Sequence, residues 1–212
     1  MTPLFVVLAL TEKPELGEHA FGRASAGHVR SLDPDSNHHE GDGAYGRFDG
    51  DLELGLGAGP TLAFSEGDLG VAARGTARWY STAGLYAVYG ETLSPRPDIE
   101  RRLAVGLDLT PLFLIRWAQA LEAGPAVLDL ALDSLSLGLG ASFSAPHERD
   151  FASKKSFEAS LGVGVPLAGT APGPWLEFRA ALPLPHAVRG EATAALFFSW
   201  RFAVTTPLVR GE

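Results

Sequence analysis

Apolar and polar residues alternate in eight separate segments of this 212-residue chain, and this alternation limits the possible folds more than any other feature. Successive side chains of a β-strand point to opposite faces, so each segment predicts a strand with one apolar and one polar face. The segments are residues 47–59, 68–80, 83–93, 102–110, 135–144, 156–167, 174–182 and 191–205. Each is close to the ~9–11 residues of a tilted strand that crosses a bilayer. We therefore expect an all-β protein with about eight antiparallel strands.

One stretch between the fourth and fifth segments departs from this pattern. Residues 111–134 carry apolar side chains too densely for alternation, and Arg116, Gln119 and Glu122 are spaced by about one helical turn. This spacing predicts a short helical insertion near residues 112–134. It consists of an amphipathic helix over 112–123, followed by a second helix or a strand extension over 126–134.

The amphipathic pattern of this first helix also predicts which side chains meet water. We expect Phe113 and Trp117 to be buried against the barrel or against lipid, with Arg116 and Glu122 nearer water. A helix packed over one mouth of a barrel and a helix lying in a membrane interface both fit this pattern.

Alternation alone does not say which face of a closed sheet is inside. A soluble ligand-binding barrel turns its apolar residues inward, whereas a membrane barrel turns them toward lipid. The polar positions here are mostly Gly, Ser, Ala and Thr, which suits a narrow interior, and the apolar positions carry almost no charge. No apolar run approaches the roughly 20 residues of a membrane-spanning helix. The sequence therefore favours a closed barrel with its apolar face in lipid.

The last segment has a family likeness. Its alternating residues Leu196, Phe198, Trp200 and Phe202 resemble the closing strand of bacterial outer-membrane barrels, and residues 46–205 are similar to the small eight-stranded barrels of the OmpA/OmpX/OmpW type. The resemblance implies an antiparallel up-and-down transmembrane β-barrel in the bacterial outer membrane. It also implies that the outer-membrane assembly machinery reads these four residues. Ten residues follow Phe202, however, whereas the aromatic residue of that family usually stands at or near the end.

The polar face of the strands carries acids and bases in nearly equal number. The interior of an eight-stranded barrel is just wide enough for side chains to fill, so we predict a lumen plugged by ion pairs. The alternative is a gated pore or a proton path, which needs charges that can change partners. The residues of the predicted network are Asp51, Glu53, Arg74, Arg78, Arg102, Asp108, Glu158, Glu177, Arg179 and Arg201.

Composition divides the chain into three parts. Residues 1–45 are rich in His, Asp, Glu and Gly and are expected to form a partly flexible N-terminal extension. Within it, residues 4–10 could be a signal-peptide remnant, and residues 19–29 could add a strand. The barrel is expected over 46–205, and residues 206–212 would form a C-terminal tail.

Several kinds of site are disfavoured by the sequence. The chain has no cysteine, which excludes disulfides, thiolate metal sites and a cysteine nucleophile. Residues 33–40 begin like a calcium loop, but His38 replaces the required Gly and Ala44 the closing Glu, so we expect no metal and no cofactor. The net charge of -8, without a basic face, argues against nucleic acid as a partner.

These features predict a monomeric, non-enzymatic outer-membrane barrel with a structural, interaction or small-solute role. Membrane lipid and the assembly machinery would be its partners. Two alternatives stay open. One is a lipid-modifying enzyme built on the same barrel, although His147 and His186 lie in no catalytic motif. The other is a soluble, lipocalin-like ligand-binding barrel.

Overall fold

The computed structural model describes residues 45–206, apart from 48, 65–66, 95–98, 120, 122–123, 147–149 and 185–191. Within these ranges eight strands form one closed barrel, and every pairing is antiparallel. The strands are β1 (Leu52–Ala63), β2 (Asp68–Trp79), β3 (Ala83–Thr92), β4 (Ile99–Leu109), β5 (Ser136–Pro146), β6 (Lys154–Pro166), β7 (Gly173–Leu184) and β8 (Thr193–Val204). The predicted fold class is confirmed.

The insertion between β4 and β5 contains two helices, α1 (Pro111–Ala118) and α2 (Ala126–Asp133). Pro111 stands at the first helical position, where its missing N–H has no partner to lose. The helical insertion is therefore confirmed, and its second part is a helix rather than a strand extension. Helix α1 ends earlier than the predicted residue 123. Neither helix is long and apolar enough to span a membrane.

Side chains alternate between the two faces of the wall as the sequence pattern requires. Leu107 and Phe157 point outward, with 60% and 70% of their surface exposed, whereas Arg78 and Glu158 point inward and are buried. The barrel is thus apolar outside and charged inside.

The first strand begins five residues later than predicted, at Leu52 instead of residue 47. Tyr45 and Gly46 have φ angles of +47° and +81°, so the backbone turns here instead of extending. Arg47 follows this turn and pairs with Asp133 of α2. A tertiary contact therefore overrides the alternation at this end.

Helices α1 and α2 lie over one mouth of the barrel, here called the capped mouth, and together they form the helical cap. Leu130 of α2 packs with Ala171 and Trp175 in a small buried apolar cluster. The Ser134 hydroxyl donates to the Gly164 carbonyl at 2.8 Å and accepts from the Gly164 N–H at 2.7 Å. The end of α2 is thereby fixed to β6.

The predicted orientation of α1 was wrong for Arg116. Phe113 is buried as expected. Trp117 is 57% exposed, and its burial against lipid stays a prediction. Arg116 was expected nearer water and instead turns inward, where it pairs with Asp129 and Asp133. The physical reason is that the polar side of this helix faces the acids of α2. Glu122 lies outside the described residues.

Several predictions fall outside the described part of the chain. They concern the N-terminal extension up to residue 44, its signal-like and strand-like segments, the run at 33–40, and the tail beyond Thr206. His147 and His186 lie outside it as well.

Candidate functional site

Three arginines and three carboxylates inside the barrel form a closed ring of ion pairs, here called the charge ring. All six side chains are buried, and their formal charges cancel. The N–O distances around the ring are 3.0 Å for Glu53–Arg78, 2.5 Å for Arg78–Asp108, 3.4 Å for Asp108–Arg74, 2.6 Å for Arg74–Glu177, 2.6 Å for Glu177–Arg201 and 3.7 Å for Arg201–Glu53.

The strand geometry explains how the ring can close. Arg74 and Arg78 are four residues apart on β2 and therefore share its inner face. Gly84 of β3 lies in register between Arg78 of β2 and Asp108 of β4. Because Gly84 has no side chain, the guanidinium of Arg78 can reach across β3 to the carboxylate of Asp108.

A second group lies farther from the capped mouth and is centred on Glu158. The Glu158 carboxylate accepts hydrogen bonds from Arg102 and Arg179, each at 2.7 Å, and from the Tyr86 hydroxyl at 3.0 Å. Arg179 also lies over the Tyr86 ring, 4.5 Å from its centroid. The hydroxyl of Ser160 accepts a further bond from Arg179 at 3.0 Å. The contacts with Glu158, Tyr86 and Ser160 together restrain the buried Arg179 side chain.

The helical cap carries a third charged group. Asp133 lies 2.8 Å from the Arg47 guanidinium and 2.9 Å from that of Arg116. Asp129 pairs with Arg116 and accepts a hydrogen bond from the Tyr45 hydroxyl at 2.9 Å. Burial raises the pKa of the Asp133 carboxyl, and the neighbouring guanidinium groups of Arg47 and Arg116 oppose this shift. These contacts tie the segment before β1 to both helices.

One aromatic side chain connects the cap with the charge ring. Trp175 donates from its indole nitrogen to the Ala171 carbonyl at 2.8 Å, and Arg201 lies over its ring, 3.6 Å from the centroid. The pocket at this mouth, lined in part by Arg47, Glu53 and Ser81, has a volume of about 10 Å³. This is room for about one water molecule.

The structure places nine of the ten predicted network residues in the charge ring or around Glu158. The tenth, Asp51, lies apart at the capped mouth. Its carboxylate accepts hydrogen bonds from the Thr206 N–H, at 2.5 Å, and from the Thr206 hydroxyl. Asp51 therefore connects the segment before β1 to the segment after β8, and it does not belong to the charge ring.

Sequence reasoning missed Tyr86 and the acids of the cap. Tyr86 stands at an inward position of β3, where a hydroxyl could have been matched to the lumen charges. Asp129 and Asp133 are four residues apart, so they share one face of a helix. This spacing alone predicts that one face of the helix is acidic.

The residues of the predicted assembly signal stand on the outer face of β8. Leu196, Phe198, Trp200 and Phe202 are all exposed there. Trp200 and Phe202 contact each other, with ring centroids 6.5 Å apart. Recognition of these residues by the assembly machinery stays a prediction. Among the described residues, no group of three His, Cys, Asp or Glu side chains could hold a metal ion.

Replacing Gly140 with Ala is expected to lower the free energy of unfolding by about 1–3 kcal/mol, as overpacking does. A Cβ atom there would stand 2.4 Å from the Val105 carbonyl oxygen and 2.5 Å from the Tyr86 hydroxyl. Urea unfolding in lipid vesicles, followed by tryptophan fluorescence, would measure the loss. The matched control is Gly90→Ala, also on an inner face, whose Cβ would meet nothing closer than 3.5 Å. Equal losses at both positions would contradict close packing around Tyr86.

No family model matches the chain, and no curated protein matches it. Among solved structures, it is similar to Neisserial surface protein A (NspA), with 13% identity, 73% of this chain and 97% of that chain covered, and a TM-score of 0.43. It is also similar to the outer membrane protein OprG from Pseudomonas aeruginosa, with 12% identity, 72% and 96% covered, and a TM-score of 0.43. A third similar structure is Ail from Yersinia pestis in a phospholipid bilayer nanodisc, with 13% identity, 71% and 99% covered, and a TM-score of 0.42.

Proposed function

We propose that this protein is an integral β-barrel of the bacterial outer membrane, with a plugged polar lumen and a structural, interaction or small-solute role. The observation that carries the proposal is the inverted polarity of the wall. Large apolar side chains such as Leu107 and Phe157 are exposed, while charged ones such as Arg78 and Glu158 are buried. In water this surface would be a large exposed apolar patch, whereas in a bilayer it contacts lipid. A soluble ligand-binding barrel requires the opposite arrangement of faces.

Charged side chains on the outer face of the strands also support an apolar face in lipid. Those named here lie together at one end of the wall. Glu91 and Arg101 are register partners at the mouth opposite the cap, and Lys155 stands at the same end of β6. The Tyr89 hydroxyl donates to Glu91 at 2.6 Å. In membrane barrels, girdles of aromatic residues flank the apolar band at both interfaces.

The aromatic residues at the other end of the wall complete this pattern. Trp79 and Trp200 are exposed on the outer face near the capped mouth. Tryptophan side chains are enriched at the membrane interface, where their rings contact both lipid and water. Two borders of this kind support a band that encircles the barrel.

The proposal predicts membrane fractionation. After cell lysis, we expect the protein in the pellet of a high-speed spin, from which detergent should extract it. Unheated samples should migrate differently from boiled ones in gels, since a folded barrel resists detergent. Recovery of the folded protein in the detergent-free supernatant would contradict the proposal.

The plugged lumen predicts little or no ion conductance. The charge ring crosses the interior, and its members already have partners at 2.5–3.7 Å. Protein reconstituted in planar bilayers should therefore show no steady conductance step above that of protein-free bilayers. Large, stable, porin-like steps would overturn the plugged lumen and would favour the gated pore.

A further inference from the structure

The two cap helices have the polarity of the barrel wall, with charge inside and apolar residues outside. Their charged side chains are Arg116, Asp129 and Asp133, and all three turn inward to partners in the cap or before β1. Asp129 is fully buried. The charged side chains of the two helices therefore all have partners within the protein.

The outer face of the helical cap is apolar throughout its described residues. The exposed large side chains are 40–57% accessible, and they are Leu114, Ile115, Trp117, Val127, Leu128 and Leu132. A helix that covers a barrel mouth in water normally presents charged residues on its outer side. This outer face instead has the composition of a surface in contact with lipid.

This apolar face is continuous with the wall of the barrel. Leu109, at the end of β4, and Leu137, near the start of β5, are exposed next to the two helices. From Arg101 to Leu109, β4 rises by roughly 27 Å along its axis, or about 20 Å across a wall tilted by 40°. The apolar band of membrane barrels is about 25 Å tall. On this side the wall alone is slightly shorter than such a band, and the first cap helix begins two residues after β4 ends.

We propose that the outer face of the helical cap lies in the lipid leaflet next to the capped mouth, in contact with phospholipid. The cap then has two contact surfaces: its charged side closes the lumen, and its apolar side anchors the mouth in the bilayer. This inference rests on the proposed function, because it requires the wall itself to be in lipid.

Site-directed spin labelling can test it directly, because the chain has no cysteine and each introduced one is unique. Labels at Trp117→Cys and Leu128→Cys report on the cap. Leu107→Cys on the outer wall is the lipid control. Ser153→Cys, at an exposed position in the turn before β6, is the water control. The protein is reconstituted in vesicles of phosphatidylethanolamine and phosphatidylglycerol. Collisions of each label with oxygen and with a water-soluble nickel chelate are then measured by power saturation.

We expect the oxygen-to-nickel ratio at both cap positions to match that at Leu107 and to exceed that at Ser153 clearly. Cap labels as accessible to nickel as Ser153, with Leu107 still in lipid, would overturn this inference and leave the barrel proposal standing. Nickel access at Leu107 would instead overturn the proposed function. Dipolar broadening between cap labels, lost on dilution with unlabelled protein, would show a second copy covering the face and would also overturn the inference.

Discussion

Replacing Glu177 with Gln is expected to lower the free energy of unfolding by about 3–5 kcal/mol, the cost of breaking a buried ion pair from one side. Glu177 is buried and lies 2.6 Å from both Arg74 and Arg201. Its neutralisation leaves the charge ring with three guanidinium groups and two carboxylates, in a space from which water is largely excluded. Reversible urea unfolding in phospholipid vesicles would measure the loss.

Two further variants make this experiment specific. Glu91→Gln removes an exposed carboxylate of the same barrel and should change stability by less than about 1 kcal/mol. The double variant Glu177→Gln with Arg74→Met restores equal numbers of acids and bases in the ring, and we expect it to be more stable than Glu177→Gln alone. If Glu177→Gln costs no more than Glu91→Gln, Glu177 does not hold buried guanidinium groups in the way the charge ring requires.

Replacing Leu107 with Arg should cost about 2–4 kcal/mol of folding free energy in bilayers, as a cation does near the midplane. Leu107 is 60% exposed on the outer face, and its register partners Leu85 and Leu139 are exposed leucines as well. Neither register partner is a carboxylate that could pair with an arginine at this position. The yield of heat-modifiable protein after refolding into vesicles measures the effect.

Leu93→Arg is the matched control for this substitution. Leu93 is 67% exposed, but it lies beyond Glu91, past the end of the apolar band. The cost of a cation falls to about 0–1 kcal/mol near the membrane surface, so this variant should refold nearly as well as the parent. Equal penalties at the two positions would argue against a bilayer around the wall.

The strands were predictable because alternation encodes the two faces of a wall directly. The partners within the lumen were not, because they depend on the register between strands. Sliding β2 by two residues along β3 would keep Arg78 inward but would take it away from Gly84 and Asp108. The alternation therefore predicted that Arg78 and Asp108 point inward, but not that these two side chains pair.

The cap shows a second limit. The spacing of Arg116 predicted an amphipathic helix, and the structure contains one. Amphipathicity defines two faces, however, and does not say which medium meets each face. We expected the charged side of α1 to face water, as it does on a soluble protein. In the structure, Arg116 on that side instead pairs with the acids Asp129 and Asp133. Those acids belong to another helix, so the sequence of α1 alone could not show this.

The hydrogen bonds between Asp51 and Thr206 have a consequence for how quickly the barrel can form. Every other strand interface joins two strands that are consecutive in the chain. The interface between β1 and β8 instead joins the first strand to the last, and Asp51 and Thr206 are 155 positions apart. Bringing such distant points together costs loop-closure entropy of about 4 kcal/mol beyond a constant. Consecutive strands are close in the chain and can pair early. The interface between β1 and β8, here called the seam, can form only when this entropy cost is met. We therefore expect seam closure, rather than any hairpin, to limit the folding rate.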